Sequence, residues 1–339
     1  MADRLAACRV IGLGRRRLLA GALMALLAAG GAAAKGVPAK PEPVRIGVLA
    51  FGTVSWELAA MEAEAPAPTG SPAIVPTVLA GAEAGKVALQ GKAVDLIVAD
   101  WIWVARQRSQ GLDFTFVPYS TMHGALVVPA DSAIRDVGDL KGKKLGVVGG
   151  GLDKNWLMLK LLAKRKYGLD AEKAIEPVFG APPLLNQQLT QGRIDALLNY
   201  WHYAVKLEAQ GFRKLLDGRA LLREFGVDAD LANLGFVFRE SWAKQHPEAL
   251  HALLERFRSA HARLCDNDAA WQHIVPLTQE TNPKAIVLLR QRYCEGGVGD
   301  PPERQAEAAG RLFALLREAG GETFAGAAMP AGTFWTAPR

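Results

Sequence analysis

LQGKAVDLIVADWIW at 89–103 and TQGRIDALLNYWHY at 190–203 carry one motif twice, about 100 residues apart. Each runs Gln-Gly-(Lys/Arg), one or two residues, an aspartate, a short apolar run and then aromatics. With one residue of slip, Asp95 matches Asp195, Asp100 matches Tyr200, Trp101 matches Trp201 and Trp103 matches Tyr203. A spacing of about 100 residues is too long for a stacked solenoid repeat. It suits two similar α/β halves, each with a helix, a Gly turn and a strand at the same topological place. Ligands of open α/β sheets bind beyond the carboxyl ends of the strands. Both copies set their aromatics just past such an end, so Trp101/Trp103 and Tyr200/Trp201 are expected on opposite walls of one cleft. A single Trp at a strand end would more simply plug the core; its duplication shifts the balance toward a site.

The surrounding chain supports alternating strands and helices. Apolar strands are expected at VRIGVLAF (44–51), AIVPTVLA (73–80), AVDLIVAD (93–100) and FTFVPYS (114–120), with Pro76 placing the second at an edge. A short helix from Trp56 to Glu64 follows the first strand, with Thr53 or Ser55 as its N-cap. The pattern restarts at GALVVPADS (124–132) and continues through KLGVV (144–148) and a helix opened by Asp153 and stopped by Gly168. After the strand LGFVFRES (234–241) the chain reads as amphipathic helices to about residue 319.

Half of the 339 residues are apolar and 22% are charged, which excludes wholesale disorder. The formal charge of +6 is concentrated at the start: residues 1–34 hold five Arg and one Asp, and without them about +2 remains. Arg15-Arg16-Arg17, the apolar run 18–31 and Ala32-Ala33-Ala34 read as a signal peptide cleaved near Ala34, followed by a Pro/Lys linker over 35–43. The Arg run is twin-arginine-like without the usual flanking residues, so the export route is open. Leu5-Ala6-Ala7-Cys8 precedes the apolar run and is not a lipidation site. No basic stripe with interleaved aromatics is seen, so nucleic acid is not an expected partner. Cys265 and Cys294 remain in the exported chain. A bridge between them would close a loop of about 30 residues and add about 3–4 kcal/mol; two buried thiols are the other reading. No Cys/His cluster suggests a metal, and no cofactor is expected.

VRIGVLAFGTVSW (44–56), ALQGKAVDLIVAD (88–100), DLKGKKLGV (139–147) and GFVFRESWAKQHPEALHALL (235–254) give the chain a resemblance to a known family. It resembles the type-II periplasmic solute-binding proteins of ABC importers, in the nitrate/sulfonate/taurine and pyrimidine-precursor-like class, over residues 44–320. The early Gly-Leu-Phe-type stretch of that class is replaced here by APAPTGSP (65–72). The resemblance implies an α/β fold of two Rossmann-like lobes with mixed, mostly parallel sheets joined by two crossing strands. The lobes would comprise 44–122 with 237–339, and 123–236, with crossings near Ser120–Gly124 and Leu234–Gly235. It also implies a monomeric periplasmic protein that closes on a small solute by a hinge and delivers it to an inner-membrane ABC permease. The cleft residues carried over are Thr53, Ser55, Trp56, Asp100, Trp101, Gly150, Gly151, Asp153, Trp156, Asn199, Tyr200 and Trp201, with Tyr119 and His123 at the hinge.

GVVGGGLDKNW (146–156) has neither the P-loop spacing nor GxGxxG, so its glycines are read as bringing backbone N–H groups near a solute. Asp153 could equally do no more than cap its helix. No Arg falls at a strand end, whereas Asp100, Asp153 and several aromatics do. That mixture favours a heteroaromatic or amine-bearing solute over an anion, with Lys154 and Arg106 able to neutralise the acids. An anion receptor of the sulfonate or nitrate type is the alternative solute reading. Catalysis is not expected: the superfamily also resembles pyrimidine synthases that use a cysteine-rich iron motif, and here the six His are scattered and no Cys cluster exists. An accessory protein serving an oxidoreductase or sensor is the remaining alternative.

Overall fold

Residues 42–64, 71–227, 230–320 and 328–336 are described by the computed structural model. The expected signal peptide, its expected cleavage site and most of the expected 35–43 linker lie outside them, as does most of APAPTGSP. Among the described residues no helix is long and apolar enough to cross a membrane.

Among the described residues ten strands form two five-stranded sheets with the same plan. The first contains β1 (Val44–Leu49), β2 (Ile74–Leu79), β3 (Leu96–Ala99) and β4 (Phe114–Ser120). The chain then crosses to the second sheet for β5 (Ala125–Val128), β6 (Lys144–Val147), β7 (Glu176–Phe179), β8 (Ala196–Asn199) and β9 (Arg213–Asp217). It returns for β10 (Leu234–Arg239). The orders are β2-β1-β3-β10-β4 and β7-β6-β8-β5-β9. In each sheet the one strand antiparallel to its neighbours, β10 or β5, is the strand that has just arrived from the other. The fold is therefore mixed α/β and mostly parallel. Both sheets lie in one compact unit, residues 40–339.

Helices α1 (Val54–Glu62), α2 (Ala82–Gln90) and α3 (Trp101–Ser109) connect the strands of the first sheet. In the second these roles fall to α4 (Lys154–Tyr167), α5 (Ala171–Ala174), α6 (Pro182–Thr190), α7 (Trp201–Ala209) and α8 (Gly218–Glu224). After β10 come α9 (Glu240–Gln245), α10 (Pro247–Asp266), α11 (Asp268–Ile274), α12 (Pro283–Glu295) and α13 (Pro302–Gly320). Gly168, with φ of +63°, ends α4 in the left-handed conformation. Pro76 lies on the edge strand β2, where its missing N–H interrupts no ladder. Cys265 on α10 and Cys294 on α12 are joined by a disulfide, with Cα atoms 5.6 Å apart. Thr53 occupies the N-cap of α1 without a side-chain cap bond, and the Ser55 hydroxyl instead donates to Gly52 O at 3.1 Å.

The internal repeat needs no slip. β3 and β8, and α3 and α7, begin at positions 96 and 196, 101 and 201. The turn residue with positive φ is Lys92 in one copy and Gly192 in the other, so the two Gln-Gly pairs are not equivalent. Asp95 and Asp195 are, and both serve architecture. Asp95 accepts the Arg45 N–H at 2.8 Å at the start of β1, and Asp195 accepts the Lys144 N–H at 2.8 Å at the start of β6. The free edge of β4 is partly covered by the C-terminal segment, where Phe334 bridges Phe116 and Trp335 N donates to Phe116 O at 2.9 Å.

Candidate functional site

A cavity of about 110 Å³ opens between the carboxyl ends of the two sheets. The first half contributes Gly47 and Leu49 of β1, the Gly52–Val54 loop, and Val98, Ala99 and Asp100 at the end of β3. The second contributes Gly149, Leu152–Asn155 and Tyr200–His202, and the crossings add Tyr119, Met122, Gly124, Asn233 and Leu234. Four of these residues, Thr53, Asp100, Asp153 and Tyr200, are N-cap residues of α1, α3, α4 and α7. Helix starts converge on the cavity because in a parallel α/β sheet each strand end feeds a helix.

Both aspartates cap. Asp100 Oδ1 accepts the Trp103 N–H at 2.9 Å. Asp153 Oδ1 accepts from Asn155 N at 2.8 Å, Asn155 Nδ2 at 3.1 Å and Trp156 N at 3.4 Å. Burial pushes the Asp153 carboxyl up to about 6, the negative charge of Asp100 adds to this, and the Asn155 and Trp156 donors oppose it. Lys154 is 3% exposed, donates to Asn233 O at 3.1 Å and lies 5.7 Å from the Trp101 ring. Burial pushes its ammonium down to about 7, against the pull of Asp100 and Asp153. This lysine ties α4 to the chain segment that returns to the first sheet.

The aromatic wall is layered. Tyr200 stacks on His202 at 6.1 Å, and Trp201 meets the edge of the buried Trp56 at 6.1 Å and 82°. His202 Nε2 lies 2.8 Å from Phe51 O, so that nitrogen carries the proton; burial pushes the ring down to about 4 and keeps it neutral. Behind Thr53, Glu57 is fully buried and accepts from the Tyr119 hydroxyl at 2.5 and 2.6 Å and the Tyr293 hydroxyl at 2.7 Å. Burial pushes Glu57 up to about 8, with both hydroxyl donors opposing.

Of the residues expected from sequence, Thr53, Asp100, Tyr119, Asp153, Tyr200 and Trp201 line the cavity. The others do not. Trp101 is fully buried, 6.3 Å from Phe334, because α3 starts at this residue and turns its side chain away from Asp100 into the core. Trp103 packs on Phe114 at 5.2 Å. Trp56 supports Trp201 from behind, Trp156 is buried among the second half's core residues, and Ser55 serves its own turn. Asn199 holds the strand end, donating to Asn186 Oδ1 at 2.7 Å and accepting from Tyr200 N at 2.7 Å. Gly149 lines the cavity in place of Gly150 and Gly151. Arg106 is not among the lining residues. His123 sits in a smaller neighbouring cavity with Asp217 and Arg219, and burial holds its ring well below the usual histidine range. Sequence reasoning assigned no wall position to Met122, Asn155 or Asn233, and treated Lys154 only as a counter-charge. The place of Lys154 next to a helix-capping aspartate was the available signal.

Residues 80–268, more than half of the chain, match the family model described as NMT1/THI5 like. The chain belongs to that family. Comparison with curated proteins gives no match. Among solved structures, this NMT1/THI5-like chain resembles the alkanesulfonate-binding protein SsuA from Xanthomonas axonopodis pv. citri bound to MOPS. The TM-score is 0.67 at 20% identity, covering 88% of this chain and 100% of that one. The periplasmic aliphatic sulphonate binding protein SsuA from Escherichia coli gives a TM-score of 0.61 at 20% identity, covering 82% and 85%. The periplasmic nitrate-binding protein NrtA from Synechocystis gives 0.55 at 15% identity, covering 73% and 69%. At such identities the likeness establishes the periplasmic-binding-protein fold.

Proposed function

We propose that this NMT1/THI5-like chain is the solute-binding component of an ABC importer. It works as a periplasmic monomer, captures one small organic solute in the cavity between its sheets and presents it to a membrane permease. The observation that carries the proposal is that one cavity draws its walls from the strand ends of both sheets and from both crossings. A solute bound there touches both halves, so its binding energy favours their approach, and the crossings near 120–124 and 234–235 are where a hinge would act. Tyr200 and Trp201 offer ring surface, Asp100 and Asp153 offer acceptors, and the remaining wall is largely apolar. Those groups suit a heteroaromatic or amine-bearing solute. The sulfonate and nitrate proteins of the same fold support the transport role.

A thermal-shift screen of the purified protein against amines, amidines, heteroaromatics, sulfonates and carboxylates tests this. A ligand at 100 times its Kd stabilises by about 2.7 kcal/mol, which raises the Tm of a chain of this size by about 4 °C. A flat response across all five classes contradicts the proposal.

A further inference from the structure

We infer that Asp100 and Asp153 make the cavity selective for a singly charged cation carrying two or more N–H donors, and against sulfonates and other anions. The inference rests on the solute-receptor reading above and concerns the charge of what that receptor takes.

Helix N-termini attract anions through their free N–H groups and dipoles. Of the four helix starts at the cavity, those of α1 and α7 have no side-chain cap, but those of α3 and α4 are already supplied with anions by the chain. The Trp103 N–H is taken by Asp100, and the Asn155 and Trp156 N–H groups by Asp153. A solute anion at either helix start would have to displace a covalently held carboxylate and then remain beside its charge. In each case only Oδ1 is used for capping. Oδ2 of both residues has no hydrogen-bond partner among the described residues, and both residues line the cavity. Two acceptors, from opposite halves, are therefore left for a donor placed between them.

The cations of the cavity do not reverse this. Lys86 is paired with Glu83 at 2.7 Å, and the Lys154 ammonium is spent on Asn233 O and lies under the Trp101 ring. Among the described residues no arginine lines the cavity. Two carboxylates against one buried lysine, whose burial favours the neutral amine, leave at least one net negative charge, which a solute cation offsets. The faces of Tyr200 and Trp201 are attractive to the same cation. An amidinium or guanidinium, planar and with N–H groups on two edges, matches all of these features together.

A series of phenyl compounds of differing charge tests the inference on the purified protein: benzamidinium, neutral benzamide and benzenesulfonate, titrated near neutral pH by calorimetry and by tryptophan fluorescence. Benzamidinium is expected to bind at least about tenfold more tightly than benzenesulfonate, as like-charge exclusion from a partly dehydrated site requires. Asp100→Asn and Asp153→Asn each lower benzamidinium affinity by about fivefold or more while leaving benzamide within that margin; asparagine also caps helices, so the fold is kept. A preference below tenfold, a preference for the sulfonate, or a smaller loss in either variant overturns the inference. If the broader screen then yields an anion, the receptor reading stands and only the charge reading falls. If neither the series nor the screen yields a ligand, both fall.

Discussion

Gly149 offers the sharpest local test of the cavity, because Gly150 beside it is a built-in control. Their φ values are +87° and +83°, so alanine at either position carries the same left-handed penalty of about 1–2 kcal/mol. Only Gly149 is crowded. A Cβ there would lie 2.6 Å from Asp153 Oδ2 and 3.0 Å from Asp153 Cβ and Cγ, whereas one at Gly150 meets nothing within 4 Å. Relieving that contact means moving the carboxylate that caps α4, and loss of such a cap costs about 1 kcal/mol. Gly149→Ala should therefore cost about 2–3 kcal/mol and Gly150→Ala about 1–2 kcal/mol. The stiffening of the unfolded chain by alanine is common to both and cancels in the difference. At about 2 °C of Tm per kcal/mol for a chain of this size, calorimetry should put the Gly149 variant about 2 °C below the Gly150 variant. Solute affinity should fall only in the Gly149 variant, since only there does Asp153 move. Equal Tm values with equal affinities would falsify the assignment of Asp153 as a wall residue held against Gly149.

Asp95→Ala removes the acceptor of the Arg45 N–H, Nε and Nη2 and should cost about 2 kcal/mol in urea unfolding, while Asp195→Ala, which frees only the Lys144 N–H, should cost about 1 kcal/mol. The two lie in different sheets, so the double variant should show the sum; a null effect at Asp195 would remove the structural meaning of the repeat. Glu57 titrates near 8 in the folded protein against an ordinary value of 4.5, so the native state holds a proton that the unfolded chain releases. That contribution is full at acid pH and is lost as pH rises from about 4.5 to about 8. Urea midpoints should fall more steeply over that range in the wild type than in Glu57→Gln; parallel profiles would show that this carboxyl is not the source.

Much of the fold was legible because the hydrophobic pattern and the repeat are local features. DLKGKKLGV and LQGKAVDLIVAD carry strand starts, turn residues and the strand-clamping aspartates within a few positions. The pairing of the two Gln-Gly motifs misled by one residue, because φ is positive at Lys92 in one copy and at Gly192 in the other, and lysine does not advertise that conformation. The site was half legible. Residues fixed at helix starts, such as Asp100, Asp153 and Tyr200, can be placed by topology alone. Trp101 and Trp201 are equivalent in the repeat yet face different surroundings: Phe334 arrives from the chain's end to bury the first, while the second is left on the cavity. Such long-range partners leave no local trace, and neither does the approach of Asn233 to Lys154 across 79 residues of chain.

We propose that one small solute is held between Asp100 of the first half and Trp201 of the second. Calorimetric titration of the best screened ligand into the wild type and into the Asp100→Ala/Trp201→Ala double variant measures this directly. The wild type should bind one solute per chain with a negative heat-capacity change, and the double variant, having lost an acceptor and a ring face, should bind about 100-fold more weakly or not at all. Unchanged affinity in the double variant, or binding at more than one site per chain with equal strength, would rule out this placement of the solute.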